Sequence, residues 1–260
     1  MIRMNINSVS VCIIICVLLV AGCQQPQHVV KPIVLESNDD WSIDNVLPVS
    51  QYHIGGRSVQ RRPIVYQTLG FGPDVVLIMA TIHGSEPAGT PLVRYLARYL
   101  QDNPYLLEGR TVVVVPVANP DGLAHRSRHN ARGIDLNRNF AAMNRINTAV
   151  YGASGQSEPE SAFIDRLLKQ YRPNRIVSIH QPLNCVDYDG PARDLAERMA
   201  RKCRLPLKKL GSRPGSLGAY AGETLGIPII TFEMLAGDSS LSDVQLWNHY
   251  GEALLEAVKY

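Results

Sequence analysis

The stretch Val75-Val76-Leu77-Ile78-Met79-Ala80-Thr81-Ile82-His83-Gly84-Ser85-Glu86-Pro87 decides the fold. Its first six residues form an unbroken apolar run, the pattern of a strand buried on both faces. The run ends in a glycine-containing turn that carries a histidine and a glutamate three residues apart. An open α/β sheet places its active site at strand ends of this kind. An H-x-x-E pair also arises by chance, and a lone histidine after a strand is more often a satisfied structural residue. The weight therefore falls on what accompanies the pair.

Three further strand-like runs carry polar residues at or just after their ends. Thr111-Val112-Val113-Val114-Val115-Pro116-Val117 precedes Asn119-Pro120-Asp121-Gly122. Arg175-Ile176-Val177-Ser178-Ile179 ends on His180, and Ile227-Pro228-Ile229-Ile230-Thr231-Phe232 ends on Glu233. Strands are expected at about 74–81, 110–117, 174–180 and 227–233, with Pro63–Leu69 as an early edge strand. Between them, Pro87–Leu100, Glu158–Tyr171, Arg193–Cys203 and Leu241–Val258 repeat apolar residues at helical spacing. Glu158-Pro159-Glu160 suits a helix start with acid in its first turn. Strands alternating with helices predict an α/β fold: a mixed, largely parallel β-sheet sandwiched by helices. Asn119 to about Gly155 reads as one long irregular stretch, and loops that long usually carry function. Polar residues converging from several strand ends are what a metal site with three protein ligands and one open position requires.

From about Gly55 to the C-terminus the chain resembles the zinc carboxypeptidase family, in particular its small bacterial murein peptide amidase subgroup. The resemblance is carried by His83-x-x-Glu86, by Asn119-Pro120-Asp121-Gly122, by Arg128-His129-Asn130-Ala131-Arg132-Gly133-Ile134-Asp135-Leu136-Asn137-Arg138-Asn139-Phe140, by Ser178-Ile179-His180 and by Phe232-Glu233. It implies one Zn2+ per chain held by His83, Glu86 and His180, with an activated water in the fourth position. It makes Glu233 the general base and then acid. It makes Arg128 the stabiliser of the oxyanion, Asn137 and Arg138 the grip on the substrate's terminal carboxylate, and Asp135 the acid that orients His83. Asp121 reads as a structural turn residue. The implied reaction is hydrolysis of the amide between γ-D-Glu and diaminopimelate in a peptidoglycan-derived peptide.

The sequence departs from the family pattern in three places. The mobile tyrosine of the digestive carboxypeptidases has no counterpart in Lys208-Lys209-Leu210-Gly211-Ser212-Arg213, and Tyr220 is a weak substitute whose plainer role is core packing. Gly218 stands near the position that sets the side-chain pocket and offers no charge, so selection for a charged side chain must come from elsewhere. Gln181 stands where the murein amidase group often has Asp. Three alternatives stay open: a carboxypeptidase acting on ordinary peptides, an aspartoacylase-like deacylase of N-acyl amino acids, and a non-catalytic cell-wall-binding lipoprotein. The intact Asn119-Pro120-Asp121-Gly122 argues against the deacylase, and retention of all the candidate ligands, Glu233 and Arg128 argues against the last.

The 260 residues, 45% of them hydrophobic, suit one catalytic domain, expected at 55–260. The net charge of +3 is small, and no aromatic ladder accompanies the basic clusters, which argues against a nucleic-acid partner. Residues 1–22 read as a signal peptide: Arg3, an apolar segment from Val9 to Ala21, then Gly22 before Cys23. Val20-Ala21-Gly22-Cys23 resembles a lipobox, which would lipidate Cys23 and leave residues 23–54 as a polar tether. The expected location is therefore outside the cytoplasm, on the membrane through the N-terminal lipid. Gln24, rather than Asp, favours the outer membrane. Cys12 and Cys16 would leave with the signal, and Cys185 and Cys203 remain as a disulfide or as two free thiols.

Overall fold

A computed structural model describes residues 50–260. The signal segment 1–22, Cys23 and all of the tether but its last five residues lie outside them. Seven strands form one sheet: β1 (Gln51–Arg57), β2 (Pro63–Leu69), β3 (Asp74–Ala80), β4 (Arg110–Val115), β5 (Arg175–His180), β6 (Cys185–Asp189) and β7 (Ile229–Glu233). Their order across the sheet is β1-β2-β4-β3-β5-β7-β6. The four central strands β4, β3, β5 and β7 run parallel. β2 and β1 are added antiparallel on one side and β6 antiparallel on the other.

The parallel centre explains the unbroken apolar runs. Val112 to Val115 are all fully buried, because alternate residues face different helical layers. Val76, Ile78, Val112, Val114, Ile179 and Ile230 pack beneath helices α1 (Gly89–Asp102), α4 (Arg193–Cys203) and α5 (Asp243–Lys259). Leu77, Met79, Val113, Val115 and Ile176 face the other way, towards α3 (Pro159–Tyr171, numbered after the short α2, Pro120–His125) and the wide turn Gly218–Thr224. α1 buries Leu92, Val93, Leu96 and Leu100 along one stripe, as the sequence period predicts. α5 is fixed at its start by a capping box: the Ser242 hydroxyl accepts from the Gln245 N–H, and Gln245 accepts from the Ser242 N–H.

Two expectations need correction. Pro63–Leu69 is a strand but not an edge, because β1 pairs outside it. Gly55 therefore lies inside β1, and the strand starts at Gln51, within the segment read as tether. β1 carries two adjacent glycines and exposes Tyr52 and Ile54, so neither period nor burial announced it. The strand β6 and the short helix α2 were not anticipated either. Cys185 and Cys203 are both buried and both free, which excludes a disulfide between them in this fold.

Candidate metal centre

The site forms where β3, β4, β5 and β7 reach their C-terminal ends. β3 stops at Ala80, and Thr81 turns the chain with φ of 54°. The turn is held by main-chain bonds: the Ala118 and Asn119 N–H groups donate to the Ala80 and Thr81 carbonyls at 3.0 Å each. Asn119 then works twice. Its Oδ1 accepts from the Gly122 N–H at 2.8 Å and caps α2, while its Nδ2 donates to the Ile82 carbonyl at 3.2 Å. The Asn-Pro-Asp-Gly turn thereby supports the loop that carries His83. Gly84 lies so close to α2 that a Cβ there would sit 1.8 Å from the Gly122 carbonyl carbon. A Cβ on Gly122 would press instead on Asn119 Nδ2, at 2.4 Å.

The loop delivers His83 and Glu86, and β5 delivers His180; all three are buried. One ligand atom from each lies within 4.8 Å of the other two. His83 Nδ1 is 2.9 Å from Glu86 Oε1, and His180 Nδ1 is 3.0 Å from Glu86 Oε2. Both histidines turn their Nε2 away, His83 onto Asp135 Oδ1 at 3.0 Å and His180 onto Ser178 Oγ at 3.0 Å. An ionised carboxylate only accepts, so Asp135 fixes the hydrogen of His83 on Nε2 and leaves Nδ1 facing the trio. That Nδ1 is buried and makes no aligned hydrogen bond despite its short distance to Glu86. An orphaned ring nitrogen, a second imidazole and a carboxylate converging from two elements fit a divalent metal of zinc's borderline softness.

The electrostatics fit as well. Burial works against ionising Glu86, but the hydrogen bond from His180 and the adjacent His83 imidazole outweigh it and hold the carboxyl well below its usual range. Burial likewise opposes ionisation of Asp135, and His83 and Arg128 overcome it. For His83, burial opposes charging, and the hydrogen bond to Asp135 together with the adjacent charge of Glu86 prevails and raises its pKa. The pocket is thus arranged around positive charge.

Glu233 ends β7, paired in register with His180 on one side and Cys185 on the other. Its Oε2 accepts from the Leu183 N–H at 3.2 Å. Burial pushes its pKa above the ordinary carboxylate value against the pull of His180. Arg128 reaches the trio from the irregular stretch, donating through Nε to Asp135 Oδ2 at 3.0 Å and through Nη1 to Glu86 Oε1 at 3.2 Å. Asn137 and Arg138 border the same cleft of about 410 Å³. Asn137 accepts the Leu217 N–H at 2.8 Å through its side chain, and its own N–H donates to Asp135 Oδ1 at 3.0 Å. His83, Glu86, Arg128, Asn137, Arg138, His180 and Glu233 therefore line one cleft, with Asp135 bonded behind His83.

Other residues have the plainer role. Asp121 is fully buried and accepts from Ser58, the Gln60 N–H and Arg62, tying the 58–62 turn to α2. Tyr220 stacks against Phe140 and donates to Asp165 at 2.7 Å, a packing role. Arg132 is exposed and donates to buried Glu158 at 3.3 Å. Burial, helped by the charge of Glu233, raises the Cys185 thiol to about 11, which leaves it inert as a nucleophile.

Sequence reasoning missed three contributors: Ser178, which holds His180, and Asp187 and Asp189, which line the far end of the cleft. Asp189 Oδ1 accepts from Lys209 Nζ at 2.8 Å, and burial raises the pKa of Asp187. A Cβ on Gly218 would meet Asp189 Oδ2 at 2.1 Å, so the glycine is what gives that carboxylate room. The alternation Cys185-Val186-Asp187-Tyr188-Asp189 was the available signal, a short strand with acids on one face.

Comparison with known proteins adds the decisive observation. The zinc carboxypeptidase profile matches residues 48–188, more than half of the chain. The chain belongs to the zinc carboxypeptidase family. It is therefore a hydrolase, with zinc as the implied metal. It is 32% identical over 197 residues to murein peptide amidase A of Escherichia coli K12, spanning 68% of this chain and 78% of that relative. It is 31% identical to murein peptide amidase A of Vibrio campbellii, over 69% and 77% of the two chains. Among solved structures, the murein-tripeptide amidase of Escherichia coli O157 superposes with a TM-score of 0.63 at 30% identity, covering 80% of this chain and 92% of the other. Carboxypeptidase A from Helicoverpa armigera shares the fold, with a TM-score of 0.66 at 22% identity over 81% and 67% of the chains.

Proposed function

We propose that this hydrolase cleaves the γ-D-Glu–diaminopimelate amide of peptidoglycan-derived peptides, with one zinc held by His83, Glu86 and His180. The observation that carries the reading is the cleft itself. It joins the trio and the Asn137–Arg138 pair to two buried acids at its inner end. Diaminopimelate has a carboxylate beside the scissile nitrogen and a second amino group at its far end. Along β6, Asp187 pairs with Thr231 and Asp189 with Ile229, two and four residues before Glu233. At about 3.3 Å per residue they stand roughly 7 and 13 Å from the Glu233 level, a span that brackets an extended diaminopimelate side chain.

Bound zinc would supply Lewis acidity and lower the pKa of a water in its open position. The protein's own residues do the rest. Arg138 and Asn137 hold the carboxylate of the leaving residue and set its amide over the trio. Glu233 takes the proton of the attacking water as its oxygen adds to the carbonyl carbon, and Arg128 donates to the oxygen that becomes negative. Glu233 then gives the proton to the nitrogen as the C–N bond breaks, releasing diaminopimelate. Asp135 keeps His83 and Arg128 in register through both steps.

The acids at the inner end also suit a leaving lysine or arginine, so a carboxypeptidase acting on peptides with basic ends is the second reading. We further propose that the chain is exported and anchored through a lipid on Cys23. That would set the enzyme beside the cell wall, for remodelling or for trimming released fragments.

The test is to incubate the full-length, zinc-loaded protein with L-Ala-γ-D-Glu-meso-diaminopimelate, with peptides ending in lysine and with N-acyl amino acids. Released amine is assayed against a chelator control and Glu233→Ala. Free diaminopimelate, absent from both controls, is the expected result. Release from lysine peptides alone would replace the substrate assignment. Release from none, with zinc bound, would overturn it.

A further inference from the structure

Gln181 follows His180 and is buried, and its main-chain N–H and both side-chain polar atoms are hydrogen-bonded. Its main-chain N–H donates to Glu86 Oε2 at 3.2 Å. Its side-chain Oε1 accepts from the Ala88 N–H at 3.1 Å. Its Nε2 donates to the Leu235 carbonyl at 2.8 Å and to the Ser239 hydroxyl at 3.2 Å. Ala88 lies two residues beyond Glu86, and Leu235 two residues beyond Glu233. One amide therefore bridges the segment that leaves the metal trio and the segment that leaves the glutamate.

The far side of the bridge is stiff. The Leu235 N–H donates to Asp238 Oδ2 at 2.9 Å, and the same oxygen accepts from Tyr250 of α5 at 2.6 Å. Close to the bridge, the Met234 N–H donates to the His180 carbonyl at 2.8 Å. The bridge thus runs from Ala88 through Gln181 and Leu235 to α5.

We propose that Gln181 is a positioning residue that fixes Glu233 relative to the trio by clamping the chain just past each of them. The proposal rests on the base role given to Glu233 above. An amide is the group that fits, because the clamp needs an acceptor for the Ala88 N–H and a donor for the Leu235 carbonyl, while the Ser239 hydroxyl can accept from Nε2 or donate to Oε1. A carboxylate has no donor and would set negative charge against the Leu235 carbonyl. Aspartate would also fall one methylene short. Gln181→Glu therefore keeps the length, the Ala88 bond and a bond from the Ser239 hydroxyl, and removes the donor to the Leu235 carbonyl.

The experiment compares full-length wild type, Gln181→Glu and Gln181→Ala by three readouts: kcat and KM, zinc affinity by chelator competition, and amide hydrogen exchange. Gln181→Glu is expected to lower kcat about tenfold with KM within about twofold, because displacing a reacting group by a fraction of an ångström costs rate and not binding. Zinc affinity should stay within about threefold, since no ligand changes. Exchange should quicken over 234–240. Gln181→Ala should lower kcat at least as far and also quicken exchange around Ala88. Unchanged exchange over 234–240 in Gln181→Glu overturns the clamp, and so does a kcat within about twofold of wild type. A fall in kcat matched by zinc loss also overturns it, since the effect would then run through the ligands. If wild type hydrolyses none of the substrates, the proposed function fails, and exchange alone then judges the clamp.

Discussion

Replacing Asp135 by asparagine probes the point where the site's geometry is most concentrated. Asp135 Oδ1 serves both His83 Nε2 and the Asn137 N–H, while Oδ2 serves Arg128 Nε. Asparagine has the same shape but only one acceptor oxygen. Keeping that oxygen towards His83 and Asn137 preserves two bonds and points the NH2 at the Arg128 N–H, donor against donor. The flipped amide would keep Arg128 and lose the other two. The first arrangement is the cheaper, so Arg128 should swing free while His83 stays in place beside a weaker, neutral acceptor. Loss of a carboxylate behind a metal-bound imidazole typically costs 10- to 100-fold in metal affinity, about 1.4 to 2.7 kcal/mol. Loss of a fixed donor at a developing oxyanion costs roughly another 100-fold in kcat. The assays are chelator competition for zinc and steady-state kinetics at saturating zinc, with the melting temperature of the metal-free protein as a folding control. Asp135→Asn should bind zinc at least tenfold more weakly, and at saturating zinc its kcat should remain depressed. Zinc affinity within about twofold of wild type, with a normal kcat once loaded, would refute the orienting role.

Four further outcomes follow from the same geometry. Gly84→Ala should misplace the metal loop, because its Cβ would press into the Gly122 backbone; a loss of at least about 1–3 kcal/mol and weaker zinc binding are expected, and a wild-type melt would contradict this. Asp121→Asn should destabilise the fold at neutral pH by about 2–3 kcal/mol, a drop in melting temperature of roughly 4–12 °C. Burial opposes ionisation of Asp121, but bonds from Gln60, Ser58 and Arg62 lower its folded pKa; its contribution is therefore present above the unfolded value and fades as pH falls through the folded one, so melts of the two proteins should converge in acid. Glu233 must be ionised to act and burial raises its pKa, so the acid limb of kcat/KM should lie above the ordinary glutamate value of about 4.3 and vanish with Glu233→Ala, whose rate should be 100-fold or more below wild type. Asp189→Asn should raise KM roughly tenfold for a diaminopimelate peptide but leave it unchanged when the leaving residue lacks the distal amine; equal effects on both would remove Asp189 from recognition.

Much of this was legible in the sequence because the relevant signals are strong and local. The four central strands are continuous apolar runs, and they appear within a residue or two of where their patterns end. The residues at their ends were found because several motifs recur together in one order along the chain, which no single strand end would have established. The elements that escaped are those whose signal is weak or shared. β1 owes its place to pairing with β2, a contact that its glycines and exposed side chains do not advertise. β6 alternates acids with apolar residues and resembles a loop in composition, so the acids that line the inner end of the cleft went with it. Gln181 was noticed only as a deviation. Its importance lies in bonds to residues 54 and 58 positions further along, which no local pattern encodes.

The lateral order of the strands has a bearing on how an anchored enzyme would present itself. β1, where the described chain begins, is one outer strand of the sheet, and β7 lies five strands away beside the other. At about 4.8 Å per strand, the point of entry and Glu233 are separated by roughly 24 Å across the width of the sheet. A chain held at β1 would be held by the flank of the sheet remote from Glu233 and from the acids of β6.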